Sequence, residues 1–400
     1  MPKVLRIINR LNLGGPTYNA AYLSKYLEPE YETLLVAGMK DDSEASSAYI
    51  VESLGLKPRY IKAMYRAIHP WKDYQAFKEL VAIIKEFKPD IVHTHAAKSG
   101  TVGRLAAFYC GVPIVLHTFH GHVFHSYFHP LKTKVFLAIE RYLAKKSTKI
   151  IAISALQKKE LSEDFKIADP KQFEIVPLGF DLDRFQDNQQ VNRIEFREKY
   201  GLQENDVAIG MIGRLVPVKN HKLFLEAFAK MKSEVKENVK AVLIGDGELR
   251  EELEATSKAL GLKISSTSCK EADVLFTSWI TAIETALPGL EIVALSSFNE
   301  GTPVSLIEAQ ASNIAIVSTR VGGIEDIVLE NKTALLAENN NLEDFSSKLK
   351  LLVEDKNLRE EMKNLGYSYV RSTFSYQTLC ANMKTLYDRL YIEHLNKSKN

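Results

Sequence analysis

The chain has 400 residues, enough for two or three domains of about 150 residues each and for a core that needs no covalent staples. Hydrophobic residues make up 46% and charged residues 26%, the balance of an ordinary soluble globular protein, which excludes collagen-like, disordered and disulfide-framework chains. Lys and Arg number 52 against 50 Asp and Glu, a formal charge of +2; this is too even for a protein that neutralises many nucleic-acid phosphates, so nucleic acid is excluded as a partner and any basic site is local.

The three cysteines, Cys110, Cys269 and Cys380, are widely spaced and form no C-x-x-C pattern, which fits a reducing cytoplasm better than a disulfide scaffold. No apolar run approaches the roughly 18 residues of a spanning helix. Arg6 interrupts the short apolar stretch near Met1, so no signal peptide is expected either.

Short β-branched runs recur in the first half at residues 4–8, 34–36, 90–93, 113–116 and 149–153. Between them lie helix-like stretches such as 71–87 and 131–146, where apolar positions repeat at three and four residues. Strands alternating with helices predict βαβ units and a parallel sheet, placing a first Rossmann-like domain at 1–180. The polar stretch 181–204, which contains Gln186-Asp187-Asn188-Gln189-Gln190, reads as a linker. The pattern restarts at 207–212, 239–244, 291–295 and 314–317, each run leading into a helical pattern, so a second doubly wound domain is expected at 205–375. Residues 376–390 keep apolar side chains on one helical face with no strand after them, which predicts a terminal helix within 376–400 crossing back to the first domain, with 396–400 frayed. The fold class is α/β, two doubly wound domains whose strand ends would face each other across one cleft.

Three segments carry candidate chemistry. After the first strand comes Leu13-Gly14-Gly15-Pro16-Thr17, where two glycines let backbone approach a ligand at a helix N-terminus; a purely structural tight turn reads equally well. It lacks the G-x-G-x-x-G spacing of a dinucleotide site. After residues 211–213 stands Arg214, with Lys219 five residues on, a guanidinium and an ammonium that can clamp a diphosphate or stand as a solvated pair. Further on, Asn299-Glu300-Gly301-Thr302-Pro303-Val304 leads to Glu308. Pro303 suits a first helical turn, the amides at 301–304 are unpaired donors, and the two carboxylates can accept hydrogen bonds from sugar hydroxyls or serve only as cap and surface acids.

Together, Gly14-Gly15, the Gly213-Arg214-Leu215-Val216-Pro217-Val218-Lys219 segment, Gly245-Asp246-Gly247-Glu248, Glu300-x7-Glu308 and Val321-Gly322-Gly323-Ile324-Glu325 resemble the retaining family 4 glycosyltransferases with the two-Rossmann GT-B fold, over nearly the whole chain. The resemblance implies a retaining, metal-independent hexosyltransferase that needs no cofactor. It would move sugar from a nucleotide diphosphate sugar, a UDP-sugar above all, to a glycan or polyprenyl-linked acceptor in cell-surface polysaccharide synthesis. It further implies Glu308 on the ribose hydroxyls, Glu300 facing the transferred sugar, Arg214 and Lys219 on the diphosphate, and Gly14 and Gly15 reaching the phosphates from the other domain. His120, with His95 nearby, would lie beside the sugar and acceptor, and residues 276–279, ending in Trp279, would hold the base. Gly213, Gly247, Gly301, Thr302, Pro303 and Val304 complete the binding set. A UDP-sugar epimerase or hydrolase of the same architecture, and a noncatalytic nucleotide-sugar sensor, are the alternatives.

Several features read better as structure than as chemistry. Asp181-Leu182-Asp183 fits a metal-binding D-x-D pattern but sits beside the linker, where the family has similar residues without metal. His93, His95, His117, His120, His122, His125 and His129 crowd one stretch, yet no Cys, Asp or Glu stands at matched ligand spacing, so donation to phosphate, sugar or acceptor is the better reading. Residues 59–66 and 69–71 interleave bases with aromatics, and Lys132, Lys134, Arg141, Lys145 and Lys146 line a helix-like segment whose apolar face should pack on the sheet. Either could rest on an anionic membrane surface at the inner face of the cytoplasmic membrane. The stretch 263–275 is longer than the resemblance leads one to expect.

Overall fold

The computed structural model of the chain describes residues 1–11, 15–39, 48–65, 67–121 and 130–397. Two compact units divide it, one formed by Met1–Phe180 with Thr373–Asn400 and the other by Asp181–Ser372.

The first unit holds strands β1 (Lys3–Ile8), β2 (Glu32–Gly38), β3 (Arg59–Ile61), β4 (Ile91–His95), β5 (Ile114–Phe119), β6 (Lys149–Ala152) and β7 (Phe173–Ile175), in spatial order β3-β2-β1-β4-β5-β6-β7. All pairings are parallel. Its helices are α1 (Gly15–Tyr26), α2 (Ala48–Ser53), α3 (Pro70–Phe87), α4 (Ala97–Tyr109), α5 (Pro130–Lys146) and α6 (Ala155–Lys159). Both faces of the sheet are covered, which is why β4 and β5 are buried along their whole length and read as continuous runs. Leu5, Ile7, Val92 and Val115 pack on one side with Leu80 and Ile84 of α3 and Ala106 of α4.

The second unit holds α7 (Gln189–Tyr200), β8 (Val207–Ile212), α8 (His221–Lys232), β9 (Val239–Ile244), α9 (Arg250–Ala259), β10 (Ile264–Ser265) and β11 (Val274–Ser278). These are followed by α10 (Ile283–Ala286), β12 (Ile292–Leu295), α11 (Val304–Ala311), β13 (Ala315–Thr319), β14 (Ala334–Ala337), α12 (Leu342–Glu354) and α13 (Lys356–Phe374). Its parallel sheet runs β10-β11-β9-β8-β12-β13-β14. The final helix, α14 (Tyr376–Lys397), belongs to the first unit: Leu379, Met383, Tyr387 and Leu390 join Val4, Leu23, Leu27 and Ile91 in one cluster. Each such buried side chain contributes about 1.5–3 kcal/mol, enough to hold this helix against the sheet.

The stretch read as a linker is folded. Helix α7 lies inside 181–204 and buries Phe196, Arg197 and Tyr200. Arg197 donates to the Gly289 carbonyl at 3.0 Å and to Glu291 at 3.1 Å. A polar sequence hides such a helix, because its guanidinium is buried against acceptors about 90 residues away as well as the nearby Gln203 and Asp206 carbonyls. Strands β3, β7, β10, β11 and β14 were not foreseen either, since runs of two to five residues carry little periodicity. The long stretch 263–275 supplies β10 and then tucks Cys269 N–H onto the Tyr200 carbonyl at 2.6 Å.

Candidate active site

In the second unit, strand order reverses between β8 and β12, and the loops leaving these strands carry most of the residues singled out above. The Gly213 N–H donates to the Ile244 carbonyl at 3.0 Å, and the Gly245 N–H to the Ser278 carbonyl at 3.1 Å. Gly245 has φ +150°, and a Cβ there would lie 1.9 Å from the Gly213 oxygen, so only glycine lets these loops touch. Gly247 lies against the Leu215 carbonyl in the same way, 2.5 Å from a Cβ position.

The chain then turns at Pro217–Lys219 and enters α8. Phe298 N–H donates to the Val218 carbonyl at 2.8 Å and the Ser296 hydroxyl to the Asn220 carbonyl at 2.9 Å, stitching the loop after β12 to this turn. Lys219 Nζ thereby donates to Glu300 Oε1 at 2.6 Å, and Ser297 Oγ to the same oxygen at 2.5 Å. Gly322, at φ +53°, packs where a Cβ would meet the Glu300 carbonyl oxygen at 1.9 Å, and Gly323 N–H donates to that carbonyl at 3.0 Å. The Val321-Gly322-Gly323 motif thus holds the backbone of Glu300.

Arg214 is exposed and forms no ion pair among the described residues, so its guanidinium is open to an anion. Gly301 is exposed, and neither its N–H nor that of Thr302 bonds a backbone carbonyl among the described residues. Pro303 does not enter the first helical turn as its sequence position led one to expect: at φ −71°, ψ 100° it is the N-cap, and α11 begins at Val304. Within α11, burial pushes the Glu308 carboxyl up to about 7, with Arg184 opposing the shift and Glu284 adding to it. Arg184 Nη2 lies 3.9 Å from Glu308 Oε1. Trp279, just past β11, is 57% exposed. The structure therefore joins Gly213, Lys219 and Glu300 in one contact set and gives Glu308 its own partners, while Trp279 stands on the surface.

In the first unit, Gly14, His122, His125 and His129 lie outside the described residues. Gly15 opens α1, with Leu178 Cδ1 3.1 Å from where a Cβ would be. His93 and His95 are two apart on β4 and share a face, with ring centroids 4.3 Å apart. His93 Nδ1 lies 2.9 Å from Arg6 Nη1 and 2.6 Å from Tyr387 Oη, and its Nε2 lies 2.7 Å from Thr118 Oγ1. His95 Nδ1 lies 2.9 Å from Nε2 of His120, which follows β5. His117 Nδ1 bonds Thr94 Oγ1 at 2.9 Å. Burial pushes all four imidazoles down, His120 to about 3, with the Arg6 charge adding at His93 and His95 and the Arg104 charge at His117. At neutral pH they are uncharged. His95 is fully buried, so it touches His120 rather than presenting a surface of its own.

Among the described residues no three His, Cys, Asp or Glu side chains converge as a ligand set. Asp183 of the D-x-D pattern instead accepts from the Tyr367 hydroxyl at 3.1 Å and pairs with Arg371 at 3.5 Å.

Residues 13–184 match the family model Glycosyltransferase Family 4, and residues 192–369 match Glycosyl transferases group 1. The UDP-Gal:alpha-D-GlcNAc-diphosphoundecaprenol alpha-1,3-galactosyltransferase of Escherichia coli is 31% identical over 309 residues, 76% of this chain and 77% of that protein. The chain belongs to the family 4 glycosyltransferases. A Rickettsia africae glycosyltransferase of known structure superposes with a TM-score of 0.81, covering 98% of both chains at 19% identity. Anabaena HepE in complex with UDP gives 0.79, covering 97% of this chain and 100% of that one at 16% identity. The fold of this glycosyltransferase is the two-Rossmann GT-B architecture.

Several residues of this glycosyltransferase escaped sequence reasoning. Arg250 donates to Ser278 Oγ at 2.7 Å and to the Phe276 carbonyl at 3.2 Å, bracing the segment that ends at Trp279. Ser297 shares Glu300 with Lys219, and Arg184 stands beside Glu308. Only Ser297, three residues before Glu300, had a local signal; the others act across dozens of residues.

Proposed function

We propose that this glycosyltransferase transfers a sugar from a UDP-sugar, with retention and without a metal ion, to a polyprenyl-diphosphate-linked or polysaccharide acceptor. The observation that carries the reading is the cluster at the end of β8 and β12: a lysine held on Glu300 beside Gly213, an uncommitted Arg214, and free amides at Gly301 and Thr302. Cleaving a sugar–phosphate bond places negative charge on the departing diphosphate, and preorganised cations and amides there lower the barrier most. With the leaving group so stabilised, the acceptor hydroxyl attacks from the face the diphosphate vacates and a diphosphate oxygen takes its proton. An ion-paired carboxylate is a weaker nucleophile, so the Lys219 and Ser297 contacts to Glu300 Oε1 favour this over a covalent route through Glu300. The E. coli relative, named for a UDP-Gal donor and a diphosphoundecaprenol-linked acceptor, supports the choice of both substrates.

A place at an anionic membrane surface, on the cytoplasmic side, completes the proposal. Helix α4 packs between α3 and α5 on one face of the first sheet. That layer leaves Trp71, Tyr74, Tyr109, Val135, Ile139 and Tyr142 exposed, with Lys72, Lys78, Lys134, Lys145 and Lys146 among them. The α5 side chains at 135, 139 and 142 face solvent, while Leu137 and Ala144 pack with Phe119, Ile150 and Ala152 of the sheet, as expected of the helix's apolar face. Apolar and aromatic groups ringed by lysines suit the boundary of an anionic bilayer. No helix among the described residues is long and apolar enough to cross a membrane.

The deciding experiment incubates purified protein with a panel of UDP-sugars, UDP-Gal included, and a polyprenyl-diphosphate-linked sugar. UDP release that depends on acceptor, yielding an α-linked product and surviving chelator, is the expected result. Sugar release without acceptor would identify a hydrolase, and no turnover with any donor would leave only a binding protein.

A further inference from the structure

We propose that Ser297 is a positioning residue for sugar transfer: its hydroxyl holds Glu300 by Oε1 and so presents Oε2 as the oxygen that accepts a hydrogen bond from the donor sugar. The inference rests on the reading above that Glu300 faces the transferred sugar, and concerns what aims that carboxylate.

Ser297 lies just past β12 and is fully buried. Its hydroxyl has one proton to give, and Glu300 Oε1, at 2.5 Å, is the acceptor that takes it. Lys219 Nζ donates to the same oxygen at 2.6 Å. A carboxylate oxygen offers two lone pairs, so these two donors fill Oε1. Among the described residues Oε2 has no hydrogen-bond or ion-pair partner, and it is not sealed, since the side chain keeps 10% of its surface in solvent. An incoming sugar hydroxyl therefore finds its acceptor in Oε2.

The two donors on Oε1 differ in what a nucleotide sugar does to them. Lys219 reaches it on a flexible four-carbon stem, and a bound diphosphate draws that ammonium toward itself. Ser297 has no such freedom. Its carbonyl accepts from Thr319 Oγ1 at 2.7 Å, and the next residue, Phe298, donates its N–H to the Val218 carbonyl at 2.8 Å. The Glu300 carbonyl is held in turn by the Gly323 N–H at 3.0 Å. Both ends of the Ser297–Glu300 contact are thus fixed through the backbone, and this contact is the one that outlasts donor binding. Without it, a carboxylate released by Lys219 is free to turn about its side-chain torsions and loses its aim at the sugar.

The test asks whether Ser297 acts through Glu300. The donors are the UDP-sugar that supports most transfer and its 3-, 4- and 6-deoxy counterparts. Ser297→Ala should lose about tenfold in kcat with the parent donor. Wild type should transfer at least one deoxy sugar about tenfold more slowly than its parent, and in Ser297→Ala that same penalty should shrink to about threefold or less. Ser297→Cys, close in shape but a far weaker donor, should match Ser297→Ala, which separates the hydrogen bond from packing. In a Glu300→Ala background, removing the Ser297 hydroxyl should cost no more than about twofold further. Unchanged kcat in Ser297→Ala or Ser297→Cys, an undiminished deoxy penalty, or losses that multiply in the double variant would each overturn the proposal. If wild type transfers sugar from no UDP-sugar, the glycosyltransfer reading fails, and calorimetry with UDP and UDP-Gal decides for Ser297 separately. Ser297→Ala should then weaken UDP-Gal several-fold and UDP by less than about twofold; equal losses, or no binding of UDP-Gal to wild type, would overturn it.

Discussion

Lys219 and Glu300, 81 residues apart in the chain, meet at 2.6 Å with side chains only 20% and 10% exposed. The ammonium that would hold a diphosphate is already neutralised before a ligand arrives, so a donor must compete with a carboxylate for it. Arg214, by contrast, is exposed and uncommitted.

That difference separates two variants. Glu300→Gln should bind UDP several-fold more tightly by calorimetry, because Lys219 is released, while turnover falls by about a hundredfold. Arg214→Ala should lose about a hundredfold in turnover with no change in melting temperature, since among the described residues it removes no ion pair. Turnover within a factor of two of wild type in Arg214→Ala would remove Arg214 from the leaving-group clamp.

Glu308 makes a pH prediction. Its carboxyl rises from 4.5 unfolded to about 7 in the fold, so folding takes up a proton between those values. Stability attributable to this group is therefore full below about 4.5 and declines as pH rises to about 7. Glu308→Gln should be more stable than wild type at pH 8 by roughly 1–3 kcal/mol in urea titrations and equal to it near pH 4. Ribose hydroxyls favour the ionised carboxylate, so UDP affinity of the wild type should rise as pH passes through about 7, and that rise should vanish in Glu308→Gln.

The buried imidazoles act in the opposite sense. Each of His93, His95, His117, His120 and His221 is held below 6.5 in the fold, so the unfolded chain binds more protons as pH falls. Their stabilising effect is present above about 6.5 and lost below it. Chemical denaturation at pH 7.5 and 5.5 should show a clear loss at the lower pH, up to about 1.4 kcal/mol per pH unit for each group. A flat profile would show that these rings are not buried as neutral groups.

The lysine-ringed face of α3, α4 and α5 should bind vesicles containing anionic lipid and release them in high salt. Replacing Ile139 and Tyr142 by Ser should weaken sedimentation with vesicles several-fold, while transfer to a short, water-soluble acceptor is unchanged. Sedimentation indifferent to anionic lipid would remove the membrane from the proposal.

What could be read without coordinates followed from short-range rules. Runs such as 207–212 and 239–244 announce buried parallel strands, and glycines in Gly245-Asp246-Gly247 and Val321-Gly322-Gly323 mark places where backbones must touch, though not which backbones. The spacing of Glu300 and Glu308 was legible, but not that one is tied to a lysine and the other raised toward neutrality by burial. Helix α7 was hidden because the burial of Arg197 draws on Glu291 and the Gly289 carbonyl, far along the chain, as well as on the nearby Asp206 carbonyl. The histidine-rich stretch showed its crowding and nothing of its order, since Arg6 and Tyr387 come from opposite ends of the chain to fix His93. Periodicity and turn chemistry are local and survive in a one-dimensional string. Burial, charge pairing and tautomer depend on which distant groups share a low-dielectric interior, and only the folded chain decides that.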